Sequence, residues 1–369
     1  MQVNSRRLFI QNTTATALVA LFTNSFTNLF ATSYNKDVNI WQELVEYARW
    51  CPTVHNLQPH RLKIISKTEA HLYYDPTKLL AIEDPQAIFT TIAFGVFIEC
   101  LSIAASPYKL KIEITKLHEP IVTNTKEITL FATLKLVESN GVEIMDRSLI
   151  LQRKTSRLHY SGKALSSESV FKIKNETEKL KHEFFSTNDE KIVNEIISLN
   201  QNTLFEDLES KAVREELKLL FRYTKEEAEK KKDGLWAECM CFSGSLLKSV
   251  FTHPEKWQKG LLKKLLEKNY KGSFKGTSTI CWIGGNFKNE NDWLHAGKVL
   301  ARNWLLITKE NAFIHPFGSL ITNENAYKKI NEICAQPNNE KKIWMIFRAG
   351  YSKEPARSFR LPVTEIIIK

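Results

Sequence analysis

The chain has 369 residues, a formal net charge of +11, 43% hydrophobic residues and 25% charged residues, a balance that suits one large globular domain or two of ordinary size. Gly (13) and Pro (11) are too scarce for long disordered linkers. The lysines are interleaved with glutamates, as in Glu226-Glu227-Ala228-Glu229-Lys230-Lys231-Lys232-Asp233, and no nucleic-acid motif occurs, so the positive charge reads as solvated helix faces rather than a nucleic-acid surface.

The N-terminus reads Ser5-Arg6-Arg7-Leu8-Phe9-Ile10-Gln11, and an uncharged segment with a short apolar run follows to about residue 33. Its apolar run is far shorter than the ~20 residues of a membrane span. The pattern resembles a bacterial twin-arginine export signal. That resemblance implies residues 1–33 as a cleavable address, a periplasmic or otherwise exported mature protein, and folding around a cofactor before export.

A helix is expected over 39–50, then a polar break at 53–58. Strands at 61–65 and 71–74 should form a hairpin. Residues 85–105 read as a helix apolar on nearly every side, hence a buried central one. Strands at 111–116 and 128–136 lead to a junction at 137–142. Helices follow at 146–154 and 166–178, a strand at 182–185, then long helices at 190–201 and 204–229. A very basic helix at 257–268 reads as a solvated face or a docking surface for an acidic partner or anionic headgroups. The chain closes with a strand at 277–284, a helix at 292–308, an extended piece at 312–316, a helix at 325–333 and strands at 343–348 and 363–368. Helices and strands mix without regular βαβ alternation, so the fold class is α+β. Neither a G-x-G-x-x-G run nor a P-loop is present.

Six cysteines occur (Cys51, Cys100, Cys239, Cys241, Cys281 and Cys334), with no C-x-x-C pair, and read as mostly buried thiols. His55 and His60 lack partners at ligand spacing, so no metal site is expected.

Three stretches carry chemistry. Cys51-Pro52-Thr53-Val54-His55-Asn56-Leu57-Gln58-Pro59-His60-Arg61 follows an amphipathic helix and is rich in turn formers and side-chain amides. Arg153-Lys154-Thr155-Ser156-Arg157 sets two forked donors and a hydroxyl near a turn, which suits a phosphate dianion, although a solvated basic turn looks the same. Ser358-Phe359-Arg360-Leu361-Pro362 adds a C-terminal arginine, with Arg357 beside it. Softer signals are Asp292–Leu300, whose Gly297 permits close helix approach, His315-Pro316-Phe317-Gly318, and Phe347-Arg348-Ala349-Gly350-Tyr351.

Together these stretches resemble the nitroreductase superfamily, and among its branches the tandem-domain, Acg-type one. His60 stands where that pattern has Trp, and Thr53 where it has Ser. The resemblance implies bound FMN: Thr53, Asn56 and Gln58 at the flavin ring, Arg153, Thr155, Arg157 and Arg360 on the phosphate, and Pro316 and Gly318 laying backbone against the ring. In ordinary members the phosphate element precedes the hydroxyl loop, and two subunits share each flavin. Here the order is reversed. The resemblance therefore implies two tandem halves, 37–142 and 145–369, forming an intrachain pseudo-dimer that is monomeric and binds one FMN. A lid is expected at 204–275 with Gly234 as its hinge. The implied function is FMN-dependent electron transfer to quinone, nitroaromatic or similar small-molecule acceptors, with a quinol or redox protein as donor. The alternative is a protein that sequesters flavin with little turnover. No catalytic side chain is assigned.

Overall fold

The computed structural model describes residues 39–334 and 341–369. The expected export signal lies outside them. Leu44–Lys369 form one compact unit, and residues 1–43 form a second, of which only 39–43 are described. Helix α1 spans Ile40–Ala48.

Strand β1 (His60–Ile64) turns back into β2 (Glu69–Tyr74), with Ile64 opposite Ala70. Helix α2 (Ile88–Ala105) follows, then β3 (Leu110–Leu117) and β4 (Thr129–Glu138). Helix α2 is apolar on all sides and nearly all of it is buried, as its sequence predicts. It starts at residue 88 rather than 85, because the Asp84 carboxylate accepts from the Phe89 and Thr90 N–H groups and satisfies the first turn. It is also the one described helix long and apolar enough to cross a membrane, yet it is mostly buried in the protein.

Helices α3 (Ser148–Gln152) and α4 (Ser167–Lys179) lead to β5 (Glu183–Thr187). A long helical excursion comes next: α5 (Glu190–Asp207), α6 (Lys211–Leu220), the two-residue β6 (Phe221–Arg222), α7 (Lys225–Lys231), β7 (Leu235–Trp236), α8 (Gly244–Thr252), α9 (Pro254–Trp257) and α10 (Gly260–Gly272). The chain then makes β8 (Thr279–Gly285), α11 (Glu290–Lys309), β9 (Phe313–Pro316), α12 (Ser319–Thr322), α13 (Glu324–Ile333), β10 (Lys342–Gly350), α14 (Val363–Ile366) and β11 (Ile367–Ile368).

Several expectations are corrected. The helix expected over 204–229 is three: Ser210 and Thr224 each turn a side-chain oxygen onto a following N–H and start a new helix, Thr224 in a full capping box with Glu227. The helix expected over 257–268 breaks at Gly260, whose φ is +66°. The strand expected over 363–368 is one helical turn and two strand residues.

The result is a mixed α+β body with two main sheets. The first has the order β11-β1-β2-β4-β3 and the second β5-β8-β10-β9. Leaving out β11, both are four-strand antiparallel sheets with one connectivity. In each, two strands are followed by a long helix and then two more strands, and the last strand inserts between the second and third. The links differ: the first two strands are joined by a tight turn in one case and by the excursion from α5 to α10 in the other, and α12 and α13 lie between the last two strands of the second sheet alone. β11 runs parallel to β1, so the C-terminus returns to the sheet built by the N-terminal strands.

The two long helices, α2 and α11, cross at paired glycines. A Cβ on Gly95 would lie 2.1 Å from the Leu294 carbonyl oxygen, and one on Gly297 would lie 2.1 Å from that of Ile92. Arg302 of α11 reinforces the crossing. It donates to Glu99 (2.7 Å), Glu176 (2.5 Å) and both oxygens of Glu143 (2.9 Å each). Burial pulls the Arg302 pKa down, but these carboxylates outweigh it and raise it above its ordinary value. One cation thus links α2, α4, α11 and the junction after β4.

Since neither backbone can retreat at the crossing, Gly297→Ala should lower unfolding free energy by about 1–3 kcal/mol, the usual cost of overpacking. Denaturant titration measures this; an unchanged midpoint and slope would contradict so close a crossing.

Candidate functional site

The stretch after α1 is a strained loop held by its own amides. His55, Asn56 and Gln58 have positive φ (47°, 58° and 53°), a conformation that non-glycine residues keep only where surrounding contacts enforce it. Gln58 supplies much of that enforcement. Its buried side chain donates to the carbonyls of Lys232 (2.8 Å) and Asn56 (3.1 Å) and accepts from Leu361 N–H (2.8 Å). Thr53 Oγ1 accepts from Gln58 N–H (3.1 Å). Arg61 donates to the Gln58 carbonyl (2.8 Å) and pairs with Asp75 (2.8 Å). Asn56 donates to the Phe359 carbonyl (3.1 Å), while its buried Oδ1 has no partner. Thr53, Asn56 and Gln58 therefore form one unit with the C-terminal segment.

His60, the departure from the resembled pattern, is fully buried and stacked on Phe97 with centroids 4.1 Å apart. Burial, and then Arg61, hold its pKa well below the usual histidine range, so the ring is neutral. His55 instead turns to Glu83 (2.7 Å).

Beneath this loop lies a cluster of guanidinium groups around Trp50. Arg357 sits 3.6 Å from the indole centroid, Arg49 4.7 Å and Arg360 5.9 Å. Arg153 donates to the Trp50 carbonyl (3.1 Å) and lies over Trp304 at 4.5 Å. Arg49 is paired with Glu46 (2.5 Å). Among the described residues, Arg153, Arg357 and Arg360 have no carboxylate partner. Buried donor atoms are left over on all three: Nε and Nη1 of Arg153, Nη2 of Arg357 and Nε of Arg360. Burial pulls all three pKa values down, and the next cause in each case is another arginine of the cluster. Arginine starts so high that the groups still carry charge at neutral pH. Cys51, also buried here, is pushed up to about 12 by burial and is a neutral thiol. Buried charge and buried donors without partners are both costly, and an anion would offset both.

The remaining expected residues are placed differently. Arg157 is not among the arginines set over Trp50; it donates to the Cys239 carbonyl (3.4 Å). Cys239 Sγ in turn accepts from the Ser358 hydroxyl (3.3 Å), so this segment stands between Arg157 and the C-terminal arginine stretch. Thr155 makes an isolated parallel bridge with Ile314, next to Ser156 N–H donating to the Ile314 carbonyl (3.1 Å). Pro316 pairs with Phe347 in the second sheet, and Gly318 starts α12 in ordinary helical conformation with open space where a Cβ would stand. No hydrogen bond among the described residues ties Pro316 or Gly318 to the 53–58 loop. The structure thus groups Thr53, Asn56 and Gln58 with the C-terminal segment, and Arg153 with Arg360. It sets Arg157 apart behind Cys239.

Sequence reasoning missed Arg49, Trp50 and the role of Arg348, and it gave Arg357 too little weight. Arg348 is fully buried between Tyr160 (4.2 Å) and Phe274 (4.8 Å) and donates to the carbonyls of Ser156 (3.3 Å) and Leu158 (3.0 Å). It fixes the backbone of the 155–158 stretch. An arginine in the otherwise apolar run of β10 was the available signal.

The excursion between β5 and β8 covers the loop. Gly234 N–H donates to the Asn56 carbonyl (3.2 Å), and Trp236 packs on Phe359 at 5.4 Å. Asp233 pairs with Lys78 (2.5 Å) and Arg222 (2.6 Å). Gly234 has φ +74°, and a Cβ there would meet the Leu220 carbonyl at 2.2 Å, so glycine is required at this contact. The excursion has its own small core of Leu217, Phe221, Ala237, Leu247 and Phe251.

If the arginine cluster is an anion site, its unpaired charge destabilises the free protein. Arg360→Met should therefore melt at the same or a higher temperature than wild type in phosphate-free buffer, and should lose the rise in Tm that inorganic phosphate gives wild type. Scanning calorimetry with and without phosphate checks this; a wild-type rise in the variant would contradict it.

No protein-family model matches the chain, and no curated protein matches it. Solved structures similar to it include a nitroreductase-like family protein from Bacillus cereus, at 15% identity over 63% of this chain and 98% of that one, with a TM-score of 0.34. The FMN-dependent nitroreductase NfnB from Mycobacterium smegmatis, in complex with NADPH, matches at 12% identity over 60% of this chain and 96% of that one, TM-score 0.38. Iodotyrosine deiodinase bound to FMN and 3-iodo-L-tyrosine matches at 14% identity over 60% and 96%, TM-score 0.34. These structural neighbours are nitroreductase-like proteins.

Proposed function

We propose that the chain is an FMN-dependent oxidoreductase of nitroreductase type, with the FMN phosphate held by Arg153, Arg357 and Arg360. One observation carries the reading: three guanidinium groups meet without a carboxylate and leave four donor atoms buried and unpaired. A phosphate dianion supplies the matching charge and acceptor oxygens. The unpaired Asn56 Oδ1 and the amide-rich loop above the cluster fit the polar edge of a flavin, whose ring offers donors and acceptors. Thr155 and Arg157 remain candidates for the phosphate, and Pro316 and Gly318 for the ring side of the site. Cys51, as a neutral thiol, leaves the cluster's charge uncompensated.

When bound, FMN supplies hydride transfer to electron-poor acceptors such as quinones or nitroaromatics. The protein's part is grip, orientation and access. Arg153 and Arg360 anchor one end, Gln58 keeps the strained loop in place, and Asp233 with Lys78 holds the 232–236 segment over Asn56. No residue is assigned as acid or base. The repeated sheet connectivity supports reading the chain as two tandem halves that build one site between them, with one FMN per monomer. The reversed motif order supports the same arrangement. The N-terminal arginine pair supports an exported protein, whose donor would be a quinol or redox protein rather than NAD(P)H.

A second reading, a flavin-sequestering protein, is favoured by the closed contacts of Lys232, Gly234 and Cys239 over the loop and arginines. The two readings part on anaerobic reduction. Rapid reduction and reoxidation by a quinone marks an oxidoreductase; bound flavin that resists reductant marks a sequestering protein.

The binding claim is tested by titrating FMN into flavin-free protein. Wild type should take up one equivalent and turn yellow. Arg153→Ala should weaken binding about ten- to more than a hundredfold, since a charge-assisted hydrogen bond contributes about 1.5–3 kcal/mol. Equal affinity in the two proteins would move the phosphate elsewhere.

A further inference from the structure

Helix α10 has one face that the other described residues leave uncovered. Its inner side is fixed: Leu266 is buried, Tyr270 accepts from the Asn200 side chain (3.2 Å), and Lys263 pairs with Glu209 (3.1 Å). The outer side carries Leu261 (84% exposed) and Leu265 (51%), with Leu262 (40%) at its edge. At 100° per residue these three fall within about a quarter-turn of one another. Lys264 and Lys268 are exposed on the same side, Lys259 is exposed just before the helix, and Asn269 flanks the leucines. No acidic residue is on this face: Glu267, the helix's one carboxylate, turns toward Lys263.

Exposed leucines bordered by lysines are a poor match for water and a poor match for an acidic protein surface, which would leave the leucines uncovered. They match the headgroup boundary of an anionic bilayer, where apolar side chains enter the acyl region and lysines meet lipid phosphates. The charge of the whole chain, +11, has the same sign. We propose that the α10 face docks the protein on membranes containing anionic lipid. The inference does not rest on flavin binding. It would place the helical excursion that covers the candidate site against the lipid phase, where a lipid-soluble electron carrier is concentrated.

The test is co-sedimentation of the full chain with vesicles of phosphatidylcholine plus phosphatidylglycerol, against vesicles of phosphatidylcholine alone, in low and high salt. Wild type should bind the anionic vesicles and lose most binding in high salt. Lys264→Gln and Lys268→Gln should each reduce partitioning about fivefold. Leu261→Gln/Leu265→Gln should abolish it while keeping the wild-type Tm, since both positions are exposed. Binding of the leucine variant equal to wild type would assign any membrane affinity to another part of the chain and overturn the proposal. So would absence of wild-type binding, or a self-association lost in the leucine variant without any vesicle binding, which would make the face a contact between copies.

Discussion

Three guanidinium groups with no carboxylate among them are the constraint on which the account turns. Folding brings Arg153 to the backbone and Arg357 and Arg360 to the indole of Trp50; Arg153 also lies over Trp304, and Arg360 donates to the Ser358 (3.3 Å) and Phe359 (3.1 Å) carbonyls. Arg153 is buried, and a buried charge costs free energy unless it is paired or hydrogen-bonded; the Trp50 carbonyl takes one of its donors and two buried donors remain. The contrast with Arg302 is instructive. There a buried arginine meets Glu99, Glu143 and Glu176, and its positive charge is raised in stability rather than lowered. Arg302 acts as a joint between elements, whereas the other three are left without a carboxylate, which is what the proposed phosphate site needs.

The rest of the body explains how the arginines and the loop are brought together. The C-terminal segment passes the arginine cluster, gives Leu361 N–H to Gln58, and then lays β11 along β1. The 53–58 loop is strained, and Gln58 and Asn56 hold it through partners far along the chain, in the C-terminal segment and in the excursion. The crossing of α2 and α11 at Gly95 and Gly297 sets the distance between the two sheets' helices. Between β5 and β8, the long excursion carries its own small core and reaches back over the loop through Lys232, Asp233 and Gly234. It is tied to the rest of the body through Lys232, Asp233, Gly234 and Cys239, so the cover seen here is a closed one.

Much of this was legible in the chain. Helix α2 could be read because it is apolar on every side, and the hairpin of β1 and β2 because its strands alternate around a polar turn. Thr53, Asn56 and Gln58 were legible as one loop, and Arg153 and Arg360 as two arginines of one cluster. The misreadings have physical reasons. Residues 204–229 keep a helical composition throughout, so periodicity hides the new starts that the Ser210 and Thr224 caps impose. β11 is two residues long and exists through its pairing with β1, which local sequence cannot reveal. Arg157 looks equivalent to Arg153, yet Cys239 comes from the excursion and occupies its donor. Trp50 reads as an ordinary helix-end aromatic until the fold stacks arginines against it.

The central claim is that the arginine cluster exists for a phosphate group on a flavin. Isothermal titration of flavin-free protein with FMN and, separately, with riboflavin isolates that group, because the two ligands share the ring and differ in the phosphate. The account predicts FMN binding at least a hundredfold tighter than riboflavin, about 2.7 kcal/mol or more. Equal affinities would show that the arginines do not hold a flavin phosphate.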